Sequence, residues 1–179
     1  MPKPKPVNWK LIDDPCLYDF VQDLIAQYHG GDKGIDGISF VLMWRYNIKQ
    51  DPDGFIWLAD ISKSADKYRE LRPHDIIIGI NKDAWSILDI RQREVVIDCQ
   101  LERIVKSVDK SDEPKEDDQS RPIYRLRKPQ AVDDAVIIGR HNLVMHEVHE
   151  FVFDKFNMGK AEKGSYVADQ LKESDGNIG

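Results

Sequence analysis

The chain has 179 residues and a formal net charge of −6, with 41% of its residues apolar and 32% charged. That fits one globular domain able to bury a core. No apolar run reaches the roughly 20 residues of a membrane span, the opening MPKPKPVNWK lacks the apolar stretch of a secretion signal, and the acidic balance weighs against a general nucleic-acid binder.

The expected compartment is therefore the cytoplasm. Without secretion, the two cysteines, Cys16 and Cys99, are expected as small buried hydrophobes and not as a disulfide. No CxxC pair or Cys/His spacing of a zinc finger is present.

In chain order, residues 1–13 read as an extended arm of alternating Pro and Lys. Asp14 is placed to cap a helix with Pro15 in its first turn. Leu17, Phe20, Val21, Leu24, Ile25 and Tyr28 form its apolar stripe, and Gly30 and Gly31 end it. GISFVLMWRYNI, Gly37 to Ile48, reads as a strand. The turn Asp51-Pro52-Asp53-Gly54 and the run GFIWLADIS then predict a hairpin. HDIIIGI, His74 to Ile80, reads as a buried strand. KDAWSIL supplies a helical turn or two after Asn81 or Asp83. Asp89 opens a longer helix from Ile90 to about Val105, with Ile90, Ile97, Leu101 and Ile104 on one face.

Val108 to Pro122 is charge-dense and nearly free of apolar residues, so residues 108–120 are expected as a mobile acidic loop. PIYRLRK predicts a strand, and AVIIG, Ala135 to Gly139, another strand or a buried turn. Leu143 to Phe156 has a helical stripe at Leu143, Met145, Val148, Val152 and Phe156. Residues 159–179 form a polar tail with one short helix through YVADQL. Trp44 and Trp57 are expected in the core.

Several pieces, in order, resemble the phage metallopeptidase family of SprT-like zincins. They are Tyr28-His29 closing the first helix, the strand Leu42-Met43-Trp44-Arg45, Trp57-Leu58-Ala59, Asp75 to Trp85, Arg91 to Ile104, and His146 to Phe151. The resemblance implies an α+β, zincin-like domain over residues 14–158. It would contain an N-terminal helix, a three-stranded, mostly antiparallel sheet, the motif helix and a C-terminal helix. In the family the motif helix carries Asp-His-Glu-Leu-x-His; here the aligned residues are Asp98, Cys99, Gln100, Leu101, Glu102 and Arg103.

The departures fall on the chemistry. Two His four residues apart share a helix face and chelate zinc, while the Glu between them activates the water. Cys99 could ligate as a thiolate. Arg103 has only donors and a fixed positive charge, and Gln100 cannot take a proton.

The site is therefore expected to be degenerate at Cys99, Gln100 and Arg103, with neither catalysis nor a cofactor. The protein is expected to be an inactive relative that binds a host or phage protein, acting against host machinery or defence. The cleft would be formed by Glu102, Arg103, His146, Glu147, His149 and Glu150. Arg103 would pair with Glu147 or Glu150 in place of the metal.

Two alternatives stay open. One is an active zinc enzyme with Cys99, His146 and Glu150 as ligands. The other is a nucleic-acid factor using Arg121, Arg125, Arg127 and Lys128, with Trp57 or Tyr124 stacking on bases.

Overall fold

The computed structural model describes residues 8–157, apart from 32–33, 49, 51, 53–54 and 65–73. The YVADQL helix and the rest of the polar tail lie outside the described residues, as does most of the 51–54 turn.

Helix α1 (Pro15–Tyr28) begins as its sequence predicts. The Asp14 carboxylate accepts the Cys16 N–H at 3.1 Å, and Pro15 needs no partner in the first turn. Its buried face is Leu17, Val21, Leu24 and Ile25. The chain then turns back on itself: the Ile35 N–H donates to the His29 carbonyl at 2.7 Å. A Cβ at Gly34 would collide with that carbonyl oxygen, so glycine is what lets this turn close and hold His29 in place.

The sheet has four strands and not three. They are β1 (Trp9–Leu11), β2 (Phe40–Arg45), β3 (Ala59–Lys63) and β4 (Ile76–Asn81), in the spatial order β1-β2-β4-β3. Part of the expected arm is thus an edge strand, antiparallel to β2 with Trp9 opposite Arg45. The expected β2–β3 hairpin does not form, because β4 lies between them, parallel to β2 and antiparallel to β3. The cause is the composition of β4. Its run IIIGIN is buried at every position but Ile77, and a strand apolar on both sides belongs in the middle of a sheet.

The cross-strand register puts Phe40, Leu42, Ile61, Ile76, Ile78 and Ile80 on one face, where they join the helices in a single core. On the other face, Trp9, Arg45 and Asp60 meet over Gly79. The Arg45 guanidinium stacks 4.6 Å from the Trp9 ring and pairs with Asp60 at 2.6 Å. A Cβ on Gly79 would strike both Asp60 and Trp9.

Asn81 ends β4 and caps α2 (Lys82–Ile87). Its side-chain oxygen accepts from Asp83 and Ala84, and its amide donates to the Trp57 carbonyl. Helix α3 (Ile90–Leu101) starts with a reciprocal capping box between Asp89 and Gln92, at 2.9 and 3.0 Å.

Helix α3 stops four residues short of the expected Val105. The β-branched pair Ile104-Val105 instead enters β5 (Ile104–Lys106), which pairs with β6 (Tyr124–Leu126). Ile97 and Leu101 are buried as expected, but Ile90 is 58% exposed.

The segment AVIIG is neither strand nor turn but lies inside α4 (Ala131–His141). The Asp133 carboxylate accepts the Gln130 N–H at its start, acids fill its first turn, and Arg140 and His141 fill its last. Residues 145–157 form α5. The acidic segment carries two isolated bridges, Val108 with Pro114 and Glu116 with Pro122. Among the described residues no helix is long and apolar enough to cross a membrane.

Candidate functional site

A cleft of about 600 Å³ opens where the segment entering β3, the end of α3, the start of α4 and α5 converge. Residues 55–59 form its rim. Phe55 and Trp57, two apart and therefore on one side of an extended chain, are 49% and 56% exposed. Trp57 is thus not core; Trp44 is half-buried against the core and stands 6.4 Å from Trp85. Cys99, Gln100 and Arg103 come up from α3, Asp133 and Asp134 from α4, and Met145 and His149 from α5.

The helical spacing of Cys99 and Arg103, followed by the one-turn closure of Arg103 N–H onto the Gln100 carbonyl at 3.2 Å, puts both side chains on the cleft. Arg103 Nη1 donates to Gln100 Oε1 at 3.0 Å and Nε to the Arg127 carbonyl at 3.4 Å.

This set does not fit the zinc ion that the resemblance implies. The guanidinium of Arg103 offers no lone pair where the second ligand would stand. Burial, and then the charges of Asp98, Asp134, Asp133 and Glu102, push the Cys99 thiol up to about 12. Burial, then neighbouring His146, lowers the pKa of His149.

Beneath the other side of α3 lies a buried ionic network. Asp98 has a side chain with no exposure. Its Oδ1 meets His29 Nε2 at 2.5 Å, its Oδ2 meets His141 Nε2 at 2.8 Å, and Arg140 Nη1 reaches both oxygens at 3.0 and 3.2 Å. One turn on, Glu102 accepts from Arg140 at 3.0 Å and from Arg127 at 3.3 Å, and Arg127 also pairs with Asp133 at 2.8 Å. Burial by itself would raise the Asp98 carboxyl. The hydrogen bonds from His29 and His141 and the charge of Arg140 outweigh it and hold the group below its ordinary value.

His29, Asp98 and Glu102 bring three ligand atoms within 4.8 Å of one another, the one such group among the described residues. Arg140 Nη1, 3.0 Å from each carboxylate, already supplies the cation there.

The expected site residues therefore divide. Cys99, Gln100, Arg103 and His149 share the cleft. His146 and Glu150 do not join Cys99: they pair with each other at 3.2 Å on the surface of α5, 69% and 64% exposed, because their four-residue spacing on an outward face brings them together first. Glu147 caps α5, accepting the Val144 N–H, and Glu102 belongs to the buried network. The expected partner of Arg103, Glu147 or Glu150, is thus replaced by Gln100 and a backbone carbonyl.

Of the basic strip, Arg127 points inward to Glu102 and Asp133, and Arg121 is tied to Asp117 at 2.8 Å; Arg125 and Lys128 are exposed. Tyr124, offered for stacking, is 2% exposed. Of the cysteines, Cys16 is exposed and Cys99 half-buried.

The sequence reading missed the roles of His29, Asp98, Arg140 and His141. The available signal was the four-residue spacing of Asp98 and Glu102 on one helix; nothing local points to partners 69 and 43 residues away.

A family model described as "putative phage metallopeptidase" matches residues 9–163. No curated protein and no solved structure matches the chain.

Proposed function

The chain belongs to this phage metallopeptidase family, and from that premise we propose that it is a non-hydrolytic member whose cleft holds an extended segment of a partner protein. The observation that carries the reading is Arg103. Its guanidinium lies on the cleft wall with Cys99 and is tied there by Gln100, and the resemblance aligns it with a metal ligand of the family.

A hydrolytic metal site needs lone-pair donors and a base that takes a proton from water. Arg103 repels a cation, Gln100 is an amide, and Cys99 is held as a neutral thiol. What remains is a binding surface. Its volume lies in the range of ligand clefts, its rim carries exposed aromatics, and β3 stands at the sheet edge beside it. An extended segment can lie along the cleft floor with its side chains entering at alternate positions. The partner is a protein of host or phage origin.

Metal analysis of the triple variant Cys99→His, Gln100→Glu, Arg103→His tests the reading. The variant is expected to gain about one zinc per chain and to lose it on further replacement of His149 by Ala. A folded triple variant that gains no metal would count against the cleft as a former metal cradle. Chelator-sensitive peptide hydrolysis by the unmodified protein would overturn the reading.

A further inference from the structure

We infer that the partner segment presents one basic side chain, lysine or arginine, to a groove along α5 that continues the cleft; the inference rests on the peptide-binding reading above and names what is recognised. Three observations meet there.

The first is continuity. The groove, of about 480 Å³, lies between residues 55–56 and α5 and shares Phe55, Ile56 and His149 with the cleft. A segment lying in the cleft therefore passes the mouth of the groove.

The second is charge. Glu150 and Asp154, four apart and so on one side of α5, both line the groove, and no lysine or arginine does. Asp154 is exposed and pairs with no cation among the described residues, while Glu150 pairs with the exposed His146 at 3.2 Å. Lys155 stands 5.6 Å from the Phe151 ring, and Arg103 is held in the cleft by Gln100. His149 adds no charge at neutral pH, since burial, then His146, lowers its pKa. The groove is thus left with a surplus of negative charge.

The third is the apolar wall. Phe55 and Phe153 line the groove and are 49% and 42% exposed, and the His149 ring braces Phe55 edge-on at 5.3 Å. Apolar walls that end at carboxylates match a side chain with an alkyl stem and a cationic head, and ring faces attract the same cation. An aliphatic side chain would leave the carboxylates unpaired, and an acidic one would be repelled.

A bead-displayed library of random heptapeptides, selected on the full chain at low salt and sequenced, tests the inference. Enriched peptides are expected to carry one lysine or arginine beside apolar residues. Replacing that basic residue by Gln is expected to weaken binding to the unmodified protein about fivefold, the scale of one exposed ion pair. The same replacement is expected to change nothing on the double variant Glu150→Gln, Asp154→Asn, whose two positions are exposed and leave the fold intact. Enrichment without basic residues, or an equal loss on both proteins, overturns the inference and leaves peptide binding standing. No enriched sequence at all overturns peptide binding itself and the inference with it.

Discussion

Gly79 explains why the N-terminal strand docks at all. The missing side chain leaves room for Trp9 and the Arg45–Asp60 pair to close over the middle of β4. Gly79→Ala is expected to cost about 1–3 kcal/mol, as overpacking does, measured by denaturant unfolding. A neutral substitution would mean that Trp9 and Asp60 shift at no cost. Neither the need for glycine here nor the Trp9 contact is legible in the sequence, since the four strands involved are distant in the chain. At the same scale, the four-residue spacing that puts Cys99 and Arg103 on one side of the helix was legible in the sequence, and both line the cleft. Their surroundings were not: Asp134, Met145 and the 55–59 rim arrive from three other elements.

Among the elements, α3 does two jobs with two faces. Asp98 and Glu102 face the buried network, while Cys99 and Arg103 face the cleft. The packing that fixes both faces comes from Val95, Val96, Ile97 and Leu101, each 1% exposed or less. Ile97→Ala and Leu101→Ala are expected to lower stability by about 2–5 kcal/mol, whereas Ile90→Ala, at a 58% exposed position, should stay within about 0.5 kcal/mol. Thermal or chemical unfolding of the three variants checks the contrast, and a costly Ile90→Ala would mean that the helix is docked differently. Capping predicted the start of α3, and periodicity its buried Ile97 and Leu101 but not the exposure of Ile90. Its end was misjudged because Ile104 and Val105 continue the helical stripe in sequence, and only pairing with β6 decides that they become strand. The same competition hid α4: AVIIG has strand composition, but flanking acids and bases suit the ends of a helix.

For the whole molecule, the Asp98 network ties the end of α1, the middle of α3 and the end of α4 into one unit. The Asp98 carboxyl lies below its ordinary value of 3.8 in the folded protein. Its contribution is therefore complete above that value and is lost as pH falls through the lower, folded-state pKa. Asp98→Asn is expected to cost about 3–5 kcal/mol at neutral pH, the scale of breaking a buried ion pair. The gap between variant and unmodified protein should narrow as pH falls below about 4. Denaturation midpoints across that range decide it, and a gap that does not change with pH would remove Asp98 from the linkage. Two arginines thus serve as fixed cations on the two sides of α3. Arg140 neutralises the carboxylates beneath it, and Arg103 leaves a positive charge on the cleft.

The sequence by itself determined the N-cap and buried face of α1, the apolar β2 and β4, the start of α3, the last helix, expected over 143–156 and found over 145–157, and the donor-only chemistry of Arg103. Each of these is written within a few residues, in periodicity, capping side chains or the chemistry of one side chain. Only the tertiary structure decided that β4 separates β2 from β3, that Trp9 joins the sheet, that His149 and not His146 shares the cleft with Cys99, and that His29, His141 and Arg140 converge on Asp98. These are pairings across tens of residues, chosen by which buried surfaces and charges can be satisfied together, and no local pattern records them.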